Sequence, residues 1–258
     1  MTDAEIAERY ERDGFLVFPQ VIDADLLREM QGHVEWKLEK HPDVSPERIF
    51  HQLIVDDPFW IRLCTDARLI DLIEPILGPN IALFAAHYLC KPAHTGEPVL
   101  WHQDANYWPL EPMQVTTIWL AGDDSTIANG CMRVIPGSHR SRTVAAHSKS
   151  TDRPNVLSSE VNEMVDENTA VDVEVPAGGA SIHDPFLLHG SEPNRSDQRR
   201  IGLTLRYVPT TTRIKTDGWP AYICRGTPVE GVNNYPALPT YQAGEHYPFC
   251  GCDKPPWA

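Results

Sequence analysis

No stretch of this 258-residue chain stays apolar for the roughly 18 residues that a membrane-spanning helix needs, so no membrane partner is expected. The opening Met1–Glu5 has neither the basic region nor the apolar run of a secretion signal, and a cytoplasmic location is expected. Basic residues are scarce. Lys and Arg total 22 against 36 Asp and Glu, a formal net charge of -14 that argues against a nucleic-acid partner. The chain shows no internal repeat and no low-complexity segment. Its six cysteines (Cys64, Cys90, Cys131, Cys224, Cys250 and Cys252) are scattered, and they read as reduced thiols rather than a disulfide framework. Cys250-Gly251-Cys252 follows His246 but lacks the second pair of a usual zinc site, so it reads as a tail with two thiols.

What is present is a helical start followed by short strands. Residues 3–13 pattern as a helix with Ile6 and Tyr10 on one face, ended by Asp13-Gly14, and Phe15–Phe18 reads as a strand. A second helix begins at Asp23 or Asp25 with the stripe Leu26, Leu27, Met30, Val34 and Leu38. Residues 41–66 carry little pattern and three prolines. Asp66–Leu77 is a helix, stopped by Gly78-Pro79. Strands are expected over 81–90, 115–123, 131–135, 171–175, 180–184, 187–190 and 199–209. Residues 141–168 are polar and unpatterned, the expected long insertion or lid over a pocket mouth. Residues 210–258 are rich in Pro, Gly and Tyr and read as a C-terminal wrap. Helices first and strands after indicate an α+β or mainly β protein with the helices on one sheet.

The chemistry concentrates in Trp101-His102-Gln103-Asp104. At a strand end, residues two apart share a face, so one imidazole and one carboxylate converge. A third ligand is available at His189, in Leu187-Leu188-His189-Gly190-Ser191. Two histidines and one carboxylate form a facial set that leaves positions open on an iron(II) ion, although zinc can use the same ligands. Arg200 follows His189 by eleven residues and opens the alternating run Arg200–Tyr207. Arg200, Gly202, Thr204 and Arg206 then share the interior face. Ile201, Leu203, Leu205 and Tyr207 face the helices, and Arg199 points away. A buried arginine needs an anionic partner.

His-x-Asp, then a distant His followed by Arg, resembles the phytanoyl-CoA dioxygenase family of iron(II)/2-oxoglutarate oxygenases. The opening around Asp13-Gly14-Phe15 and the run Asn129–His139 are similar to that family too. The resemblance implies a double-stranded β-helix, or jelly roll, in a single domain. Residues 1–80 would be a helical buttress, 81–209 the jelly-roll core and 210–258 the wrap. It implies iron(II) as cofactor on His102, Asp104 and His189, with 2-oxoglutarate and dioxygen as cosubstrates. Arg200, Ser191, Trp119 and Gln103 are the expected cosubstrate contacts. Because Asp104 is present, where related halogenases carry a small residue, hydroxylation of a small molecule is expected. Tyr107, Trp108, His87, Tyr88 and Arg206 are candidate substrate contacts, with Trp219 and Tyr222 of the tail. Two alternatives stay open: a cupin-like metal enzyme that does not use 2-oxoglutarate, and a non-catalytic barrel that binds a small ligand. No oligomeric state is indicated.

Overall fold

The computed structural model describes residues 1–150, 154–157 and 159–253. Helix α1 (Asp3–Asp13) begins at Thr2, whose hydroxyl accepts from the Glu5 amide while the Glu5 carboxylate accepts from the Thr2 amide. It ends at Gly14, with φ 83°, a conformation that glycine adopts without steric cost. Strand β1 (Phe15–Phe18) follows, then α2 (Ala24–Lys40), capped by Asp23. Leu26, Met30 and Val34 of its stripe are buried, while Leu27 and Leu38 sit half-buried at the edge. The stretch 41–66 is more ordered than its prolines suggest. Pro58 starts helix α3 (Pro58–Cys64), since a proline in the first turn forfeits no helical hydrogen bond. Helix α4 (Ala67–Leu77) is capped by Asp66.

The remaining strands of three residues or more are β2 (Ile81–Tyr88), β3 (Val99–His102), β4 (Thr116–Ala121), β5 (Met132–Val134), β6 (His147–Lys149), β7 (Ser159–Val161), β8 (Val171–Val173), β9 (Ala180–His183), β10 (His189–Ser191), β11 (Gly202–Pro209) and β12 (Tyr222–Arg225). The larger sheet runs β1-β9-β4-β11-β2-β12, with Ile49–Phe50 also paired to β2; the smaller runs β8-β5-β10-β3. All these pairings are antiparallel. The chain is therefore mainly antiparallel sheet with a few helices.

Alternation along two central strands sets the layers. Ile118 and Leu120 of β4, with Leu203, Leu205 and Tyr207 of β11, join the helices in the main core, around Met30, Trp60 and Ile70. Trp119 and Ala121, on the other face of β4, pack against Met132, Val134 and Val173 of the smaller sheet. The cavity-bearing face is thus the one the two sheets share.

Two expectations need correction. The tail does more than wrap: its β12 pairs with β2 and extends the larger sheet, while Tyr247 and Phe249 pack on Phe59. Residues 141–168 are not patternless either. They include the β6–β7 hairpin, beside which the Val156 amide donates to the Pro98 carbonyl. Residues 151–153 and 158 of that stretch lie outside the described residues.

Candidate active site

Strand β3 ends at His102, and Asp104 opens a short 3₁₀ turn rather than continuing the strand. The shared face survives because Gln103 between them stays extended, at φ -119° and ψ 127°. On the neighbouring strand, His189 lies directly across from His102, and their rings are 4.0 Å apart. One ligand atom each from His102, Asp104 and His189 falls within 4.8 Å of the others, and all three residues are buried.

Hydrogen bonds fix which nitrogen each imidazole offers. Nδ1 of His102 lies 2.8 Å from the Leu100 carbonyl, and Nδ1 of His189 lies 2.9 Å from the Leu187 carbonyl. A carbonyl only accepts, so both Nδ1 atoms carry the hydrogen, and Nε2 is the nitrogen each ring can offer to a metal. These Nε2 atoms lie 3.6 and 4.0 Å from Oδ1 of Asp104. The other oxygen, Oδ2, is held from behind by the Thr117 hydroxyl at 3.3 Å and by Nε2 of His183 at 3.4 Å. Burial pushes the Asp104 carboxyl up, but His102, His183 and His189 outweigh it and hold the group well below the usual carboxylate range. Burial, then the neighbouring His102 and His183, keeps His189 neutral.

A cavity of about 310 Å³ opens over this cluster. At one end sits Arg200, only 2 % exposed. It donates to the Gly130 carbonyl, and its guanidinium carbon stands 5.2 Å from the Trp119 ring centroid. Gly130 has φ 76°, and a Cβ there would fall 2.3 Å from the Glu192 carbonyl oxygen, so only glycine fits the turn that presents this acceptor. Lys91 joins Arg200 through a backbone bridge and donates its Nζ to Ser191 Oγ at 2.7 Å and to the Glu192 carbonyl. Burial and then Arg200 draw the Lys91 pKa down to about 6; burial lowers that of Arg200 to about 10. Among the described residues no carboxylate pairs with either cation, and Arg200 Nε is buried without a partner. A buried guanidinium and a buried amine share this recess, Glu47 and Glu192 act on them only from a distance, and the recess has room for an anion. Arg199 points the other way and pairs with Glu35 and Asp123.

Of the expected residues, His102, Asp104, His189, Ser191, Trp119 and Arg200 line the cavity, as do Tyr107, Trp108, His87, Arg206 and Trp219. Three do not. Gln103 faces away and ties down its surroundings, donating to the carbonyls of Phe186 and Thr143 and accepting from the Ala145 amide. Tyr88 lies on the helical side, its hydroxyl 3.0 Å from Nδ1 of His33. Tyr222 is also in the main core. Sequence reasoning missed Lys91, Thr117 and His183. The Thr117 signal was available, because it shares the face of Trp119 on one strand.

Comparison with known proteins agrees with this geometry. The phytanoyl-CoA dioxygenase family pattern matches residues 10–202. An ectoine dioxygenase of Stutzerimonas stutzeri (strain A1501) is 26% identical over 229 residues, 79% of this chain and 76% of that protein. An L-proline trans-4-hydroxylase of Streptomyces griseoviridis is 28% identical over 236 residues, 82% of this chain and 87% of that protein. The solved structure of the non-heme monooxygenase ThoJ, in its apo form, superimposes with a TM-score of 0.79 at 25% identity, covering 94% of this chain and 89% of that one. With three quarters of its length matched by one family pattern and the His102, Asp104 and His189 donors gathered in its cavity, the chain belongs to the phytanoyl-CoA dioxygenase family.

Proposed function

We propose that this protein is an iron(II)- and 2-oxoglutarate-dependent dioxygenase that hydroxylates a small molecule, with His102, Asp104 and His189 as the iron ligands. The observation that carries the reading is the buried facial cluster itself, two Nε2 donors and one carboxylate oxygen. This donor set suits iron(II) and occupies one face only, leaving the other for cosubstrates. Bound there, iron(II) supplies dioxygen activation, driven by conversion of 2-oxoglutarate to succinate and carbon dioxide.

The chain's own residues do the rest. Thr117 and His183 keep Asp104 turned so that Oδ1 faces the two imidazoles. Arg200 receives the distal carboxylate of 2-oxoglutarate, with Ser191 and Lys91 beside it, because guanidinium and ammonium donors pair a buried carboxylate that would otherwise be costly to desolvate. Trp119 forms the wall of that recess, and Gly202 makes room for it: a Cβ there would lie 2.3 Å from Trp119 Cζ2. Leu157 lines the same cavity, and we assign the described residues of 141–168 the role of covering its mouth. A metal enzyme without 2-oxoglutarate would leave the Lys91–Arg200 recess without a purpose.

The two facing antiparallel sheets support a double-stranded β-helix over 81–209, buttressed by 1–80 and wrapped by the described residues of 210–258 as one catalytic unit. A cytoplasmic setting fits the free cysteines. Anaerobic addition of iron(II) and then 2-oxoglutarate tests the reading. A visible metal-to-ligand charge-transfer band should develop only when both are present. Iron binding without that band would point to a metal enzyme that does not use 2-oxoglutarate.

A further inference from the structure

Arg206 stands on β11, six residues or about 20 Å of extended chain beyond Arg200, which lies just before the strand, and both line the cavity. It faces the cavity beside different neighbours. Its guanidinium carbon is 5.4 Å from the Trp108 ring centroid. Its Nε is sealed from solvent and has no acceptor, and among the described residues no carboxylate pairs with it. Asp104 acts on it only from a distance and is already engaged by Thr117 and His183. The other basic groups on this side carry no charge. His51 donates Nε2 to the Pro220 carbonyl and accepts the Ala86 amide at Nδ1, and burial draws its pKa to about 4. His87 donates Nε2 to the Glu47 carbonyl, and burial draws it to about 3. The wall beyond is apolar: Trp219 stacks on His51 and anchors its indole N–H on the Phe84 carbonyl.

One unpaired guanidinium against an aromatic wall matches one negative charge on an otherwise apolar molecule. A phosphate dianion would leave a charge uncompensated, since both histidines are neutral. The cavity, at about 310 Å³, lies at the small end of the range for ligand pockets and must also hold 2-oxoglutarate. We propose that Arg206 anchors the primary substrate, and that this substrate is a small monocarboxylic acid whose apolar body lies against Trp108 and Trp219. The proposal rests on the reading of the site as a 2-oxoglutarate-dependent oxygenase. The cosubstrate takes the Arg200 end, and the substrate carboxylate takes the Arg206 end.

The test uses full-length protein loaded with iron(II) and saturated with 2-oxoglutarate, without oxygen, so that Arg200 is already occupied. Binding of cyclohexanecarboxylate, benzoate and isovalerate is compared by calorimetry with binding of the matching carboxamides, which keep the shape and lose the charge. Losing a charge-assisted hydrogen bond predicts a roughly ten- to hundredfold preference for the carboxylates. Arg206→Gln should abolish that preference while leaving 2-oxoglutarate affinity within about twofold of wild type, and Arg206→Lys should keep part of it. The wild-type comparison stands even if Arg206→Gln fails to fold. No preference in wild type, no binding by any of the three acids, or an undiminished preference in Arg206→Gln overturns the proposal. So does a loss of 2-oxoglutarate affinity in Arg206→Gln, which would give Arg206 to the cosubstrate. Should wild type not bind 2-oxoglutarate at all, it is the oxygenase reading that fails, and the same acid and amide pairs on iron-loaded protein still judge Arg206.

Discussion

The two ends of the cavity, at Arg200 just before β11 and at Arg206 on it, are built differently. At the Arg200 end every neighbour is fixed by a short stretch of backbone. Lys91 bridges Arg200 directly, Gly130 offers its carbonyl, and Ser191 lies two residues from His189. At the Arg206 end the walls come from distant segments: His51 just after the short Ile49–Phe50 strand, His87 on β2, Trp108 after the metal motif and Trp219 in the tail. The first end suits a ligand that never changes, with donors placed by rigid elements. The second is assembled from parts that can vary without disturbing the ligand cluster, as suits the substrate side of a family with many substrates.

The largest expected effect removes what both ends serve. Asp104→Ala should fold but lose iron binding and turnover. The loss should exceed the roughly 10–100-fold typical of an outer partner, as measured by metal analysis after desalting. Retained iron and full activity would remove Asp104 from the ligand set. Next, Thr117→Val keeps the shape and deletes the hydroxyl that holds Asp104 Oδ2. Iron affinity should fall roughly 10–100-fold, read by competition with a chelator, and unchanged affinity would mean that His183 alone orients the carboxylate.

A smaller effect separates the ends by pH. Lys91 in the free recess loses its proton near pH 6. A bound carboxylate favours the ammonium, so the complex holds more protons than the free protein above that pH. The affinity for 2-oxoglutarate should then be flat below about pH 6 and fall above it, by up to about tenfold per pH unit. Lys91→Met should flatten the profile, whereas a wild-type profile that rises with pH would contradict the sign. Least of all, Arg199→Ala removes half-exposed ion pairs with Glu35 and Asp123. Stability should change by about 0.5 kcal/mol or less, measured by denaturant unfolding.

Much of this was legible in the residues because the deciding signals are local. Asp23 and Asp66 cap their helices and Gly14 ends α1, as their side chains and conformational freedom dictate. Alternation along residues 200–207 separates Arg200 and Arg206 from Leu203 and Leu205. Alternation also says that Gln103 faces away from a cluster that includes both His102 and Asp104, so its assignment to the cosubstrate conflicted with the rule that found the ligands. Strand β2 defeats the rule, because it is buried on both faces along its whole length. Nothing in His87-Tyr88 tells which side chain meets the cavity. Lys91 reads as a loop residue before Pro92, and its burial depends on Ser191, Glu192 and Arg200, which are distant in sequence. The strand within 222–225 has no pattern of its own because only one neighbour, β2, orders it.

The account's central claim is that the two cavity-lining arginines, Arg200 and Arg206, serve different ligands. Titration of 2-oxoglutarate into iron-loaded wild type, Arg200→Ala and Arg206→Gln, without oxygen, tests it most directly. Losing a charge-assisted partner of a buried anion costs on the order of 2–5 kcal/mol, so Arg200→Ala should raise the Kd roughly 30-fold to several thousand-fold. Arg206→Gln should leave it within about twofold. Equal Kd values in wild type and Arg200→Ala, or a comparable loss in both variants, would contradict the division.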